Sequence, residues 1–453
     1  MKKRLTIFLV LSLVGAEVFA QANDSTLTFR EAVRVALKNS VLLNTERNNL
    51  LLSKVNKTYR IAQLGPQVGI NGNLYQSNGN RFIQQELKVV NTTVYGGGVT
   101  LSVSQPIFNG LGGLKSARQA SSQLDAQLEQ VNRSTQDIIN TVSTQFLQVL
   151  LDQELLKIAL ENLELQKTQY EQVEAQVEVG SRSPVDQYNQ QAQVSNAELT
   201  VAQAEFTLVN DKTTLLQALL LDPTLKTKIE EPEWDVNAIA LDDLSLAELL
   251  EVSSERRSDL KQARYTERAS KFGMSSSKGN YFPRLNAFYN NGSAFNQVKG
   301  TPHDDPSYRS SIDQFTNYNR SSSYGLSLNI PIFTGFETRA FYMQSKIQYE
   351  NNKLLTKNQE VIVKGDVLRA YENFQSVKKA YAAGLTGLEA SEMAYSLEKE
   401  RFNLGITTFV DFANANRTYI QAQTDMAQAK YRFIFQKIML DYATGTLNPD
   451  ELP

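Results

Sequence analysis

Two stretches, Gly180-Ser181-Arg182-Ser183-Pro184-Val185-Asp186 and Gly405-Ile406-Thr407-Thr408-Phe409-Val410-Asp411, carry the same punctuation. A glycine suits the left-handed residue that closes a helix. Three residues on, Ser183 and Thr408 suit the N-cap of a new helix. Asp186 and Asp411 stand three places after those caps, which predicts a reciprocal capping box at each. Pro184 falls on the first position of its helix, where a missing N–H costs nothing. Each stretch therefore reads as the tip of two antiparallel helices.

The arms are long. Apolar residues recur at every seventh place through Val142, Val149, Leu156, Leu163, Tyr170 and Val177, and return as Val194, Val201, Leu208 and Leu215. The second hairpin repeats the step with Val367, Phe374, Tyr381, Leu388, Tyr395 and Phe402, then Tyr419, Met426, Phe433 and Leu440. A sustained seven-residue period imposes a left-handed supercoil. Roughly 70 helical residues span about 100 Å.

Upstream of each hairpin the period changes to two. Val68, Ile70 and Leu74 alternate with polar neighbours, a Gly/Asn-rich loop is expected over Ser77–Arg81, and Val99, Leu101 and Val103 alternate again up to Pro106-Ile107-Phe108-Asn109-Gly110. In the second half Leu285, Ala287 and Tyr289 share one face, as do Tyr324, Leu326, Leu328, Ile330 and Ile332, ending at Pro331-Ile332-Phe333-Thr334-Gly335. The opening Leu27-Thr28-Phe29-Arg30-Glu31, a capping box leading into a helix that runs through Leu52, has its mirror in Leu244–Glu248. Matching motifs lie about 225 residues apart, so the chain is one unit given twice. Before the strands the step is about 217, so the loop between the second pair of strands, Ser293–Ser323, has gained about eight residues.

This gives a signal peptide at 1–20, a first repeat at 21–221 with strands near 66–78 and 97–107, and an acidic connector at 222–243. A second repeat follows at 244–445 with strands near 283–293 and 323–333, then a tail at 446–453. Lys2, Lys3 and Arg4 precede an apolar run from Leu5 to Val14 and a small-residue cleavage site at Val18-Phe19-Ala20, as a secretory leader does. The single tryptophan, Trp234, reads as a packing residue of the connector.

Composition limits the function. With 46 basic and 48 acidic side chains and no basic run, nucleic acid is not an expected partner. The absence of cysteine removes disulfides and thiolate chemistry. The one histidine, His303, lies in the long loop of the second half without companions. Neither a phosphate-binding loop nor a ligand cluster is present, so no enzyme activity, metal or cofactor is expected. Beyond the leader no stretch approaches the roughly 20 apolar residues of a membrane helix.

The strands, however, have the apolar-out, polar-in alternation of a transmembrane barrel. Strands can cross a bilayer only as a closed barrel. Four are too few, since small barrels need about eight, so if these strands span a membrane several chains must pool theirs; the other reading is a soluble four-stranded sheet packed on the helices.

Helix, strand, strand and long coiled hairpin, given twice behind a leader, resemble the TolC family of outer-membrane efflux channels. The motifs that carry the likeness are Leu27–Val33, the paired Pro-Ile-Phe-x-Gly strand ends and the paired tips. The resemblance implies a homotrimer with a twelve-stranded β-barrel in the outer membrane and a twelve-helix α-barrel tunnel in the periplasm. It further implies a passive exit duct of a tripartite efflux or type I secretion system. Its partners would be a periplasmic adaptor (a membrane fusion protein), an inner-membrane transporter of the RND or ABC class, and outer-membrane lipid. Drugs, metals, siderophores and polypeptides all stay open as cargo. By match, Asp411 takes the place of a constriction-ring aspartate, Asn414 stands where a second can occur, and Asp186 matches the first hairpin's tip aspartate. Arg182 is expected either to pair with an acid across hairpins or to be a solvated charge. Gly180, Ser181, Ser183, Gly405, Ile406, Thr407 and Phe409 are candidate adaptor contacts, Ile406 and Phe409 as apolar groups at an exposed turn, with packing between neighbouring hairpins the equal alternative. The alternative is a non-pore structural coiled-coil protein of the cell envelope, which would need no barrel.

Overall fold

The computed structural model of the chain describes residues 26–83, 87–224, 227–232, 234, 245–300 and 308–448. The leader 1–20, Leu244 and His303 lie outside the described residues, as do parts of the connector and tail. Strand β1 (Thr26–Leu27) leads into α1 (Phe29–Asn39) and α2 (Val41–Ala62). The capping box at Thr28 forms in full: Thr28 N donates to Glu31 Oε2 at 3.2 Å and Glu31 N to Thr28 Oγ1 at 3.3 Å. The opening helix is broken where one continuous helix was expected. Ser40 leaves the helical region and caps α2 by accepting from Leu43 N at 3.2 Å.

Strands β2 (Gln67–Ile83) and β3 (Lys88–Asn109) follow, then α3 (Gly112–Glu178), α4 (Pro184–Ala218) and β4 (Lys228–Ile229), which pairs parallel with β1. The second half supplies α5 (Leu246–Arg256), α6 (Ser258–Lys278), β5 (Arg284–Val298) and a short α7 (Ser311–Asp313) continued by a π-turn over Gln314–Tyr318. It closes with β6 (Ser321–Asn329), α8 (Glu337–Asn403) and α9 (Phe409–Thr444).

The four long strands form one antiparallel sheet in the order β2-β3-β5-β6, leaving β2 and β6 as open edges. Three are longer than the alternation predicts, with 17, 22 and 15 residues for β2, β3 and β5. The expected loop at Ser77–Arg81 is strand, because its ladder with β3 continues through Ser77↔Val94 to Ile83↔Lys88. Backbone pairing carries these strands past the point where side chains signal them. Conversely β6 stops at Asn329, so Ile330 and Ile332 extend beyond it, both exposed.

The register measures the tilt. Outward apolar residues centre near residue 71 on β2 (Val68, Ile70, Leu74) and on Leu326 of β6. Through the ladders these two centres trace to Gly292 and Ala287 of β5. The band thus slides about five residues, about 16 Å, across three strand spacings of about 14 Å in total, a tilt of about 50°. Transmembrane barrel strands tilt by roughly 35–45°. The other face is largely polar, with Asn71, Asn73, Ser102, Asn286, Asn290 and Ser323 among its residues and the basic Arg81, Lys88 and Arg284 toward its ends. Gly96 and Gly97 permit contacts across β3. A Cβ on Gly96 would lie 2.4 Å from the Tyr75 ring, whose hydroxyl reaches Asn296 Oδ1 at 2.8 Å.

Each strand pair hands over to its long helix through two successive left-handed residues: Gly110 (φ 63°) and Leu111 (φ 62°), then Gly335 (φ 58°) and Phe336 (φ 71°). A Cβ on Gly110 would sit 2.4 Å from the carbonyl oxygen of Gly279. This explains the glycine of the Pro-Ile-Phe-x-Gly motif in the first half.

The helices stand in four columns. Helices α3 and α8, 67 residues and about 100 Å each, run the full height. Beside α3 stack α2 and α4, and between α3 and α8 stack α6 and α9. Every heptad residue identified in the sequence is buried or half-buried. The largest core lies at mid-height, where α1, α3, α4 and α9 meet β1–β4 around Phe29, Phe146, Leu150, Leu215 and Ile434. Trp234 packs edge-on to Phe29 at 5.8 Å, as a packing residue. Nearby, Arg257 is 2 % exposed and binds Asp259, Asp366 and the Ala443 carbonyl, tying α6 to α8 and α9. The outer columns keep apolar faces uncovered within one chain: Leu51, Leu52 and Val55 on α2, Phe206 and Val209 on α4, Leu354, Leu355 and Val361 on α8.

Candidate functional site at the hairpin tips

Both long helices end in the same hydrogen-bond pattern. Gly180 (φ 75°) and Gly405 (φ 72°) are left-handed. Their N–H groups donate to Val177 O and Phe402 O, and those of Ser181 and Ile406 to Gln176 O and Arg401 O. These are Schellman motifs, closed by glycine because a side chain there would be strained.

The new helices start differently. At the second tip Thr408 Oγ1 accepts from Asp411 N at 3.2 Å and donates to Asp411 Oδ2 at 2.6 Å, with Thr407 Oγ1 at 3.4 Å from the same oxygen. The Asp411 carboxylate thus bonds its cap's hydroxyl rather than its cap's N–H, a correction to the expected box. The Thr408 hydroxyl chiefly, helped by the Thr408 backbone, the Thr407 hydroxyl and the Arg401 charge, holds the Asp411 carboxyl below the usual carboxylate range. At the first tip the expected box does not form. Ser183 Oγ accepts from Val185 N at 3.2 Å, one position early, and Asp186 N turns to Ser183 O at 3.0 Å. The Asp186 carboxylate is left half-exposed.

Arg182 takes neither of its expected roles. Its guanidinium lies 3.9 Å over the Phe402 ring and Nη2 donates to Phe402 O at 3.4 Å. It fastens the first tip to the second hairpin of the same chain, where the ring face and the C-terminal end of α8 both favour a cation. Phe409 also departs from expectation. It is half-buried, 6.2 Å from Phe402, against a cluster of Tyr395, Phe402 and Phe412. Ile406, by contrast, is exposed, as are Gly180, Ser181, Ser183, Gly405 and Asn414, while Thr407 is half-buried. Val179, Val185, Leu404 and Val410 add exposed apolar surface that sequence reasoning passed over. Their signal was apolar residues flanking the two glycines. Among the described residues no group of His, Cys, Asp and Glu could hold a metal ion, and no helix is long and apolar enough to cross a membrane.

A sheet with apolar outer and polar inner faces, carried on four columns of helix about 100 Å tall, defines a barrel protein with a periplasmic tunnel. The family described as outer membrane efflux protein matches residues 36–219 and 249–446, and the chain belongs to it. The outer membrane efflux protein BepC of Brucella suis biovar 1 is 22% identical over 429 residues, covering 94% of this chain and 87% of that one. The outer membrane protein TolC of Escherichia coli K12 is 23% identical, covering 100% and 88%. Among solved structures, the outer membrane protein VceC of Vibrio cholerae superposes with a TM-score of 0.78 at 15% identity, over 92% of this chain and 96% of that one. The Campylobacter jejuni CmeC outer membrane channel gives 0.74 at 14% identity, over 98% and 94%. The protein is an outer-membrane efflux channel, its strands in the membrane and its helices in the periplasm. The family is one of channels rather than enzymes.

Proposed function

We propose that three copies join β6 of one to β2 of the next, and α8 of one to α2 and α4 of the next. The twelve strands and twelve helical columns then close one duct, with the tips as its periplasmic mouth. The observation that supports this is the pair of open ends: a sheet unpaired at β2 and β6, continued below by apolar faces uncovered on the outer columns. An unpaired strand edge in a bilayer costs several kcal/mol per backbone group, so closure is demanded. A periplasmic adaptor docks on the exposed apolar residues around Ile406, Leu404, Val179 and Val185. An inner-membrane transporter supplies the energy, and solute leaves passively. Asp411 and Asp186 line the mouth with negative charge, and Asn414 adds a polar but uncharged position.

The cysteine-free sequence makes the test clean. Leu326→Cys is combined in turn with Val68→Cys, Ile70→Cys and Leu74→Cys. One pairing is expected to oxidise into a covalent trimer that conducts in planar bilayers. Membrane-inserted protein that forms no cross-link in any pairing, and no channel, refutes the closure.

A further inference from the structure

Below the strands, all four helical columns line one open cavity of about 730 Å³, with Asn56 of α2, Gln123 of α3, Gln262 of α6 and Gln348 of α8 among its walls. Helices α3 and α6 stand between α2 and α8. A cavity that all four reach lies on the side toward which the row of columns curves. In the closed trimer proposed above, that side is the bore. The α3 wall begins at Gln119, seven residues into the helix and so about 10 Å below its start. Of the described residues that line the cavity, twelve carry amides or hydroxyls, the others are alanine, glycine and methionine, and none is charged.

Charge is not scarce on these helices; it is turned away. Over the same turns α6 carries Arg264, Glu267, Arg268 and Lys271, and α8 carries Lys346 and Glu350, yet none of them lines the cavity. On α6 the lining recurs at Gln262, Thr266, Ala269 and Gly273, steps of three and four that keep it on one face. Glu46 comes to the edge, half-buried, and is held by Gln127 Nε2 at 2.6 Å. On the polar face of the sheet above, the ladder rows from Gly69 to Ser323 and from Asn71 to Ser321 are likewise uncharged. Folding does not demand this sorting. A wall one helix thick meets water on both faces, and charged side chains are solvated on either. Rings of like charge inside a water-filled bore would concentrate counter-ions and hold or repel ionic cargo. Amides do neither, because each offers a donor and an acceptor without net charge.

We propose that this stretch of the duct is a charge-indifferent corridor for hydrophilic cargo, passing anions and cations alike and holding neither. The corridor rests on the closed trimer of the preceding section. Since the chain has no cysteine, Gln123→Cys, Gln262→Cys and Gln348→Cys can each be followed alone in single channels. A cationic and an anionic methanethiosulfonate of similar size are added from the strand side. Each transfers its thioalkyl group to the thiol with loss of methanesulfinate, read as a step in conductance. The ratio of the two rates, divided by the same ratio for a free thiol in solution, reports the local potential and is expected to stay within about twofold of one at all three sites. Adding Gln119→Glu one helical turn from Gln123→Cys should favour the cationic reagent by about fivefold, because the carboxylates then face the same water. A ratio skewed about tenfold toward either reagent in the otherwise unaltered lining overturns the corridor. Channels whose conductance neither reagent changes overturn it too, with the closure left standing. Absence of conducting trimers overturns the closure and the corridor together.

Discussion

Asp152→Asn is expected to stabilise the protein in a pH-dependent way. Asp152, on α3, is 3% exposed. Its Oδ1 accepts from Gln148 Nε2 at 3.0 Å, and its Oδ2 is buried without a donor. Burial, then the Asp211 carboxyl of α4 beside it, pushes its pKa from 3.8 up to about 7. The folded state thus binds a proton that the unfolded state has released. Stability is full below about pH 4 and falls as pH rises toward 7. Three pK units correspond to a loss on the order of 4 kcal/mol per chain, an upper bound because the proton is shared with Asp211. An unfolding entropy of about 2.1 cal/mol/K per residue turns that into about 4 °C of Tm for a chain of this length. Asparagine keeps the Gln148 bond, can donate to Asp211 and never ionises. Calorimetric melts of the detergent-solubilised protein should show Asp152→Asn about 4 °C above wild type at pH 8, and about 1 °C above it at pH 4.5. A gap independent of pH would refute the reasoning.

The other perturbations follow from contacts already described. Arg257→Met leaves Asp259 and Asp366 without their buried cation and should cost about 3–5 kcal/mol in denaturant unfolding. Arg182→Ala should loosen the two hairpins by about 1–2 kcal/mol, read as faster proteolysis at the tips, with Arg182→Lys recovering little because it cannot reproduce the planar stacking. Asp411→Asn should lower cation preference in single-channel recordings. Because the Asp411 pKa is depressed, the wild-type preference should persist as pH falls through the ordinary carboxylate range, and disappear only below it; unchanged selectivity in the variant would exclude a ring there. Gly110→Ala places a methyl group against Gly279 O at a left-handed residue and should prevent assembly, measured as loss of heat-resistant oligomer.

What the sequence revealed and what it hid have a common cause. The heptad ladders and the glycine-ended tips were legible because both depend on residues a few places apart. Val149, Val367 and Phe374 are fully buried where the period puts them, and Gly180 and Gly405 adopt the conformation only glycine takes easily. The outer ends of β2 and β3 were illegible because a ladder to a neighbouring strand holds them, and their Gly, Asn and Ser side chains read as loop. Arg182 was misjudged for the same reason: its partner, Phe402, lies 220 residues away, and no local pattern announces it. Phe409 is different, since Phe402 stands only seven residues before it across the turn. The α3–α4 proximity of Asp152 and Asp211 is implied by the hairpin, but burial of the pair is not.

The unequal lengths of the edge strands shape the cell surface. Strand β6 offers nine residues to a neighbouring β2 of seventeen, so about half of β2 rises above the seam between chains. Within a chain, β2, β3 and β5 remain laddered well beyond that height. In the trimer proposed above, three β2–β3 ribbons therefore stand above the described ends of β6 at the subunit joints. The ribbon tips, Asn78–Phe82 and Lys88–Asn91, lie beyond Val94↔Val298, the last row laddered to β5, so they can vary under pressure from a phage fibre or an antibody without touching the wall in the membrane.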